Sequence, residues 1–292
     1  MGLHNSLAMP RLSMSIPWSS NSAKGGLPLA LLATAPVVLP AAYMVYILWQ
    51  SARRTIASAS ITSPDPLVGK SETGEEDRGS DTLAILPVLA APDDYVISRE
   101  RIISEAIPLD SILVIPLQDK GSGGIGTKSG RRGLLETYLA TTMRMFAWTP
   151  QAFVMKFMVS RLPGGAAHAN TFSTAYLDAC TFEAGDRVCG VYRVRERVRD
   201  PRGMRIFLDL SPPEGWKGPV VSGVLDCGFV VEKKGDESFV RFVNETILWR
   251  RKDGKPTLLE GTVSRWLHVM IVRWMMVRGV EAVTGKVKGK TA

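Results

Sequence analysis

The sequence predicts an α+β fold: a curved antiparallel sheet packed by one long C-terminal helix, behind an N-terminal transmembrane helix. Three observations carry this. Leu27 to Trp49 is an uncharged run of 23 residues. The stretch from Val188 to Arg251 reads as consecutive strands joined by short turns. An unbroken helical pattern then runs from Leu259 to Gly285. Strands joined by tight turns pair antiparallel, and a sheet with one apolar face needs helices to cover it. The order helix, helix, sheet, long helix is helix-grip-like, and such layers can enclose an apolar cavity.

The first element is LPLALLATAPVVLPAAYMVYILW, residues 27–49. A helix needs about 20 apolar residues to cross the hydrocarbon core. Tyr43, Tyr46 and Trp49 gather at its end, where amphipathic rings favour the interface, and Arg53-Arg54 forms a charged stop. Pro28, Pro36 and Pro40 are tolerated in membrane helices and disfavoured in soluble ones. A signal peptide fits less well, because Arg53-Arg54 stands where a small-residue cleavage site should begin. Arg53, Arg54 and Lys70 outnumber Arg11 and Lys24, so the C-terminal body is expected on the cytosolic side, here of the endoplasmic reticulum. The division is a polar leader (1–26), the span (27–49), a disordered linker (50–82) and the α+β domain (83–292). The linker reading rests on SITSPDPLVGKSETGEEDRGSDT, too polar to form a core.

The body then follows element by element. Gly133 to Ala147 is helical, with Leu135, Tyr138, Leu139, Thr142, Met143 and Phe146 at three- and four-residue spacing. Thr149 caps a second helix with Pro150 in its first turn. In CGVYRVRERVRD, alternation puts Val188, Tyr192, Val194 and Val198 on one face and Arg193, Arg195, Arg197 and Arg199 on the other. MRIFLDL turns Ile206, Leu208 and Leu210 one way. VVSGVLDCGFVVEKK and ESFVRFVNETILWRR complete the meander. On the last helix Trp266, Met270, Trp274 and Val277 share a face, with Val263 and Leu267 beside them.

Several function classes are set aside. The net charge is +8, but the basic residues are scattered and form no nucleic-acid motif, so no nucleic-acid partner is expected. Cys180, Cys189 and Cys227 contain no C-x-x-C and read as reduced thiols. His4, His168 and His268 lie at no ligand-like spacing, so no metal is expected. GSGGIGTKSG (121–130) approaches a phosphate-binding loop, but Thr127 separates Gly126 from Lys128 and Pro116 breaks the preceding strand. Asp209 in RIFLDL has no parallel sheet to share with it. The loop reads as flexible and basic, and no cofactor is expected.

The chemistry-bearing candidates lie in the last two strands. In FVRFVNETILWRR both faces mix apolar and polar side chains, so one polar group must enter the core. Glu245 with Arg241, or Asn244 with a backbone group, answers that need. Asp226 sits in a similarly apolar strand. A carboxylate desolvated in an apolar cavity has a raised pKa and can act as general acid or base. Glu245, Asp226 and Arg241 are therefore the catalytic candidates. Tyr192, Trp249, Trp266 and Met270 are the candidates for lining a substrate cavity. The ordinary alternatives are a structural ion pair and core packing. Ser264 and His268 stand one helical turn apart and read as structural.

The stretches YLATTMRMFAWTPQAF, FEAGDRVCGVYRV, FVNETILWRR and LLEGTVSRWLHVMIVRW, behind an N-terminal anchor, resemble small membrane-anchored fungal proteins of polyketide natural-product pathways, some called hexane cyclases. The resemblance covers about half the chain, from Tyr138 to Val283. It implies a membrane-anchored cyclase or isomerase, without a cofactor, acting on a hydrophobic polyketide-derived intermediate beside other pathway enzymes. The alternative is a non-catalytic membrane-tethered module that binds lipid or another hydrophobic ligand, or a scaffold.

Overall fold

The computed structural model describes residues 42–62, 94–113, 133–217 and 220–284. The chain divides into two compact units, Met1–Tyr46 and Ile47–Ala292. Of the first, only residues 42–46 are described, and they are helical. Most of the expected span at 27–49 and the whole glycine loop at 121–130 lie outside the described residues. Among the described residues no helix is long and apolar enough to cross a membrane.

The second unit is α+β. Its strands are β1 (Thr55–Thr62), β2 (Tyr95–Ser104), β3 (Ile107–Pro108), β4 (Arg187–Val188), β5 (Tyr192–Asp200), β6 (Gly203–Leu210), β7 (Ser222–Lys234) and β8 (Glu237–Arg251). Its helices are α1 (Leu134–Ala147), α2 (Pro150–Ser160), α3 (Gly165–Asn170), α4 (Thr174–Ala179) and α5 (Thr262–Val283). The eight strands form one curved, unclosed antiparallel sheet in the order β1-β2-β8-β7-β6-β5-β4, with β3 pairing β8. The expected meander is therefore present as β4 to β8. β1 and β2 extend it past β8.

That extension corrects the expected linker. Thr55–Thr62, within the 50–82 segment, pairs along its length with Ser104–Ile97. Residues 47–54 before it are helical. Arg54 donates to Glu105 and to Glu281 of α5, so it serves as a fastening of the body. An edge strand needs only one partner's backbone, so a Ser-rich segment such as TIASASIT is viable there.

One face of the sheet carries the core. Tyr138 of α1 stacks on Phe242 at 4.4 Å and donates its hydroxyl to Asn244 Oδ1 at 3.0 Å. Tyr138, Phe242, Phe229 and Met276 fill space between the layers where a cavity is expected. α5 crosses α1 closely at Gly279, where a Cβ would stand 2.7 Å from the Tyr138 ring and from Thr142 Oγ1. Ile206 and Leu208 are fully buried on this face, with Leu210 packed beside them, as the alternation predicts. Thr149 caps α2 by accepting from the Ala152 amide at 3.2 Å.

Two facing patterns differ from expectation. A bulge in β5 between Val194 and Glu196 breaks the strict alternation. Arg195 consequently pairs with Asp209 of β6, whereas Arg197 reaches Glu136 of α1. Val198, expected inside, is exposed. In α5 the inward residues are Met270, Val272, Met275, Met276, Val277, Val280 and Val283. Val263, Trp266 and Leu267 are exposed, because the first two turns overhang the narrow edge of the sheet at β1.

Candidate functional site

β2 was not legible as a strand, yet it supplies the carboxylate of a Glu–His contact. Its inward positions are Ser98, Glu100, Ile102 and Ser104, all buried. Glu100 is registered between Ala59 of β1 and Thr246 of β8. Its Oε1 lies 2.8 Å from Nδ1 of His268 on α5. The Glu100 side chain is 1% exposed and that of His268 is 18% exposed. Glu100 Oε2 is buried with no hydrogen bond among the described residues. A buried carboxylate is costly unless paired, so the position must be held by its surroundings.

A shallow cleft of about 330 Å³ opens between β1 and the start of α5, and neither Glu100 nor His268 is among its lining residues. Ala57, Ser58 and Ala59 form one wall, and Thr262, Arg265, Trp266 and Val269 the other. Ala59 is the register partner of Glu100, and Val269 follows His268 in the helix. The volume falls in the lower range of small-molecule sites. Trp266 at 54% exposure gives the cleft an open aromatic rim.

The start of α5 is clamped. Arg250 of β8 donates to both oxygens of Glu260, at 2.9 Å from Nε and 2.7 Å from Nη2. The Thr257 amide also donates to Glu260, at 2.7 Å. The Ser264 hydroxyl donates to the Leu258 carbonyl at 2.6 Å, which makes it a staple of the helix start. Hydrogen bonds from Arg250 hold the Glu260 carboxyl down at about 2. A folded-state value below the unfolded 4.5 means that the clamp stabilises fully above that pH and is lost as pH falls toward 2. The wild-type chain is therefore expected to lose its stability advantage over Glu260→Gln between about pH 4.5 and pH 2, as read by thermal melts across that range.

The expected catalytic group lies elsewhere. Alternation turns Glu245, Asp226, Arg99 and Arg101 to the sheet face opposite α1 and α5. Asp226 and Glu245 are direct register partners across β7 and β8, with Arg101 next in the row. Both carboxylates are buried. Glu245 is paired with Arg99, and Asp226 with Arg205 through two hydrogen bonds. Arg241, expected to meet Glu245, instead donates to Glu232 at 2.9 Å. The strand-to-strand register brings Arg99 to Glu245, and no reading of β8 alone contains that information.

The four expected lining residues do not converge. Trp266 stands at the cleft, and Met270 is buried one turn further along α5. Trp249 packs on the opposite face with Phe207, Val224 and Ile247. Tyr192 is on β5, edge-on to Phe146 at 5.7 Å, with its phenol pushed up by burial. Burial likewise pushes up the thiols of Cys189 and Cys227, and all three cysteines are buried with none in a disulfide. Such thiols are poor nucleophiles. Among the described residues no three His, Cys, Asp or Glu side chains gather to hold a metal.

The signal that marks Glu100 in the sequence is its position in YVISRERIIS, alternating with Arg99 and Arg101. A carboxylate in phase with Ile102 must enter the core. No family model matches the chain, and no curated protein or solved structure matches it either.

Proposed function

We propose that the chain is a membrane-anchored cyclase or isomerase acting on a hydrophobic, polyketide-derived intermediate, with His268 moving the proton. The observation that carries this is the 2.8 Å contact of Glu100 with His268, whose respective neighbours, Ala59 in register and Val269 in the chain, line the cleft between β1 and α5. In this reading Glu100 Oε1 accepts from Nδ1–H of His268, which fixes the tautomer and leaves Nε2 to take and return a proton. Glu100 is then a positioning residue. Arg265 on the cleft wall offsets negative charge that develops as the proton leaves carbon or oxygen. Trp266, Val269, Ala57 and Ala59 hold the apolar chain in a folded conformation, so that positioning contributes to the rate. The proton removed is returned at another atom, and product and substrate share one molecular formula. A transmembrane anchor at 27–49, with the body on the cytosolic face of the endoplasmic reticulum, and a helix-grip-like layering belong to the same reading, as do partner enzymes of the pathway.

The openness of the cleft favours a second reading, a module that carries a hydrophobic ligand without changing it. Deleting the gene in the producing organism separates the two. The catalytic reading predicts that an intermediate accumulates with the same exact mass as the missing product but a different retention time. An unaltered metabolite profile overturns it.

A further inference from the structure

α2 is apolar on its outward side as well as on its inward one. Its inward side buries only Ala152 and Val159. Its outward side carries Phe153, Val154 and Phe157, which are 53%, 58% and 55% exposed, and Trp148 just before it is 69% exposed. Trp148 packs edge-on to Phe153 at 6.3 Å. The Arg161 guanidinium lies 3.7 Å from the Phe157 ring centroid, and Lys156 is exposed between the two phenylalanines. The sequence contains no Asp or Glu between Glu136 and Asp178, while Arg144, Lys156 and Arg161 all fall in that interval. Large apolar side chains exposed side by side mark a contact surface. Aromatic residues on one face of a helix that carries Lys156 and is followed by Arg161 suit an anionic lipid surface, where rings enter the headgroup region and cations meet phosphates.

We infer that α2 with Trp148 is a monotopic membrane-contact surface that inserts Phe153, Val154 and Phe157 into an anionic bilayer. This surface is separate from the cleft and does not depend on the proposed catalysis. It gives the body a second hold on the membrane besides any anchor. The side chains sit roughly 5–10 Å into the headgroup and acyl boundary, as other interfacial helices do. A protein partner would be expected to present carboxylates to Lys156 and Arg161, and then the lipid test below fails.

The full chain is reconstituted with vesicles of phosphatidylcholine containing phosphatidylserine. An environment-sensitive fluorophore is attached at Phe157→Cys, at Val154→Cys in a second variant, and at Asp236→Cys as a control. The native cysteines are buried and do not compete for the label. Asp236 lies in an exposed turn between β7 and β8. Labels at 157 and 154 are expected to shift to the blue and to be quenched by lipids brominated near the glycerol end of the acyl chain. The label at 236 is expected to stay water-like. Quenching at 157 and 154 is expected to weaken several-fold in vesicles of phosphatidylcholine alone. Water-like emission at both 157 and 154 in the anionic vesicles overturns the inference. A blue shift that needs added soluble protein and not lipid overturns it too. Equal quenching in neutral and anionic vesicles overturns the assignment of anionic lipid.

Discussion

Replacing His268 with alanine is expected to lower turnover of the accumulated intermediate by about 10²–10⁴-fold, the usual contribution of a positioned acid–base group. The affinity for the intermediate should stay near that of the wild-type chain, because the cleft walls are Ala57, Ser58, Ala59, Thr262, Arg265, Trp266 and Val269. The truncation leaves the buried Glu100 carboxylate without its His268 partner and is expected to cost stability, so turnover is compared per folded molecule. Glu100→Gln supplies the companion result. The amide keeps the shape of the carboxylate but no longer demands a proton on Nδ1. Turnover should drop, and the ring-nitrogen NMR shifts of His268 should show a mixture of tautomers. A merely structural Glu100 would leave those shifts in place once the protein is folded. Single-turnover rates with equilibrium binding on the same samples separate chemistry from affinity.

The second large effect concerns stability. Glu245→Ala removes one partner of a buried ion pair and leaves Arg99 facing an emptied site. Breaking such pairs costs about 3–5 kcal/mol, and the low end applies because Arg99 is 18% exposed. Denaturant unfolding followed by tryptophan fluorescence should show this loss. Turnover per folded molecule should be unchanged, because Glu245 points away from α1 and α5. Glu245→Gln should lose less, since its carbonyl still accepts from Arg99. The opposite pattern, intact stability with lost turnover, would return catalysis to the Asp226–Glu245 face.

Both predictions depend on contacts between residues distant in the chain, and that distance decides what was legible in the sequence. The strands from β5 to β8 could be read because turns such as Lys234-Gly235-Asp236 separate clear alternations. α1, the capped α2 and α5 could be read from their helical spacing. β2 could not, because Ser98, Glu100 and Ser104 occupy inward positions where an apolar signal is expected. β1 was hidden by a composition that suits a linker equally well. The β5 bulge shifts the facing of Arg197 through backbone hydrogen bonding, which side-chain periodicity does not encode.

The site shows the same division. A polar demand inside β8 was visible in FVRFVNETILWRR, and Asn244 indeed lies in the core. Its partner is Tyr138, which is 106 residues away, rather than a nearby backbone group. The burial of Glu245 and Asp226 was likewise legible, whereas Arg99 and Arg205 as their partners were not. His268 was weighed only as a metal ligand and beside Ser264. The residue that gives it a chemical role, Glu100, lies 168 positions earlier. The outward face of α2 was read as an ordinary helix, because spacing alone does not say which side meets the core.

The most direct measurement is a structure of the full chain with the accumulated intermediate bound. The proposed function places the ligand between β1 and α5, against Trp266 and Val269, with a reacting atom about 3 Å from His268 Nε2. Density for the ligand on the Asp226–Glu245 face, or seated away from His268, would contradict it.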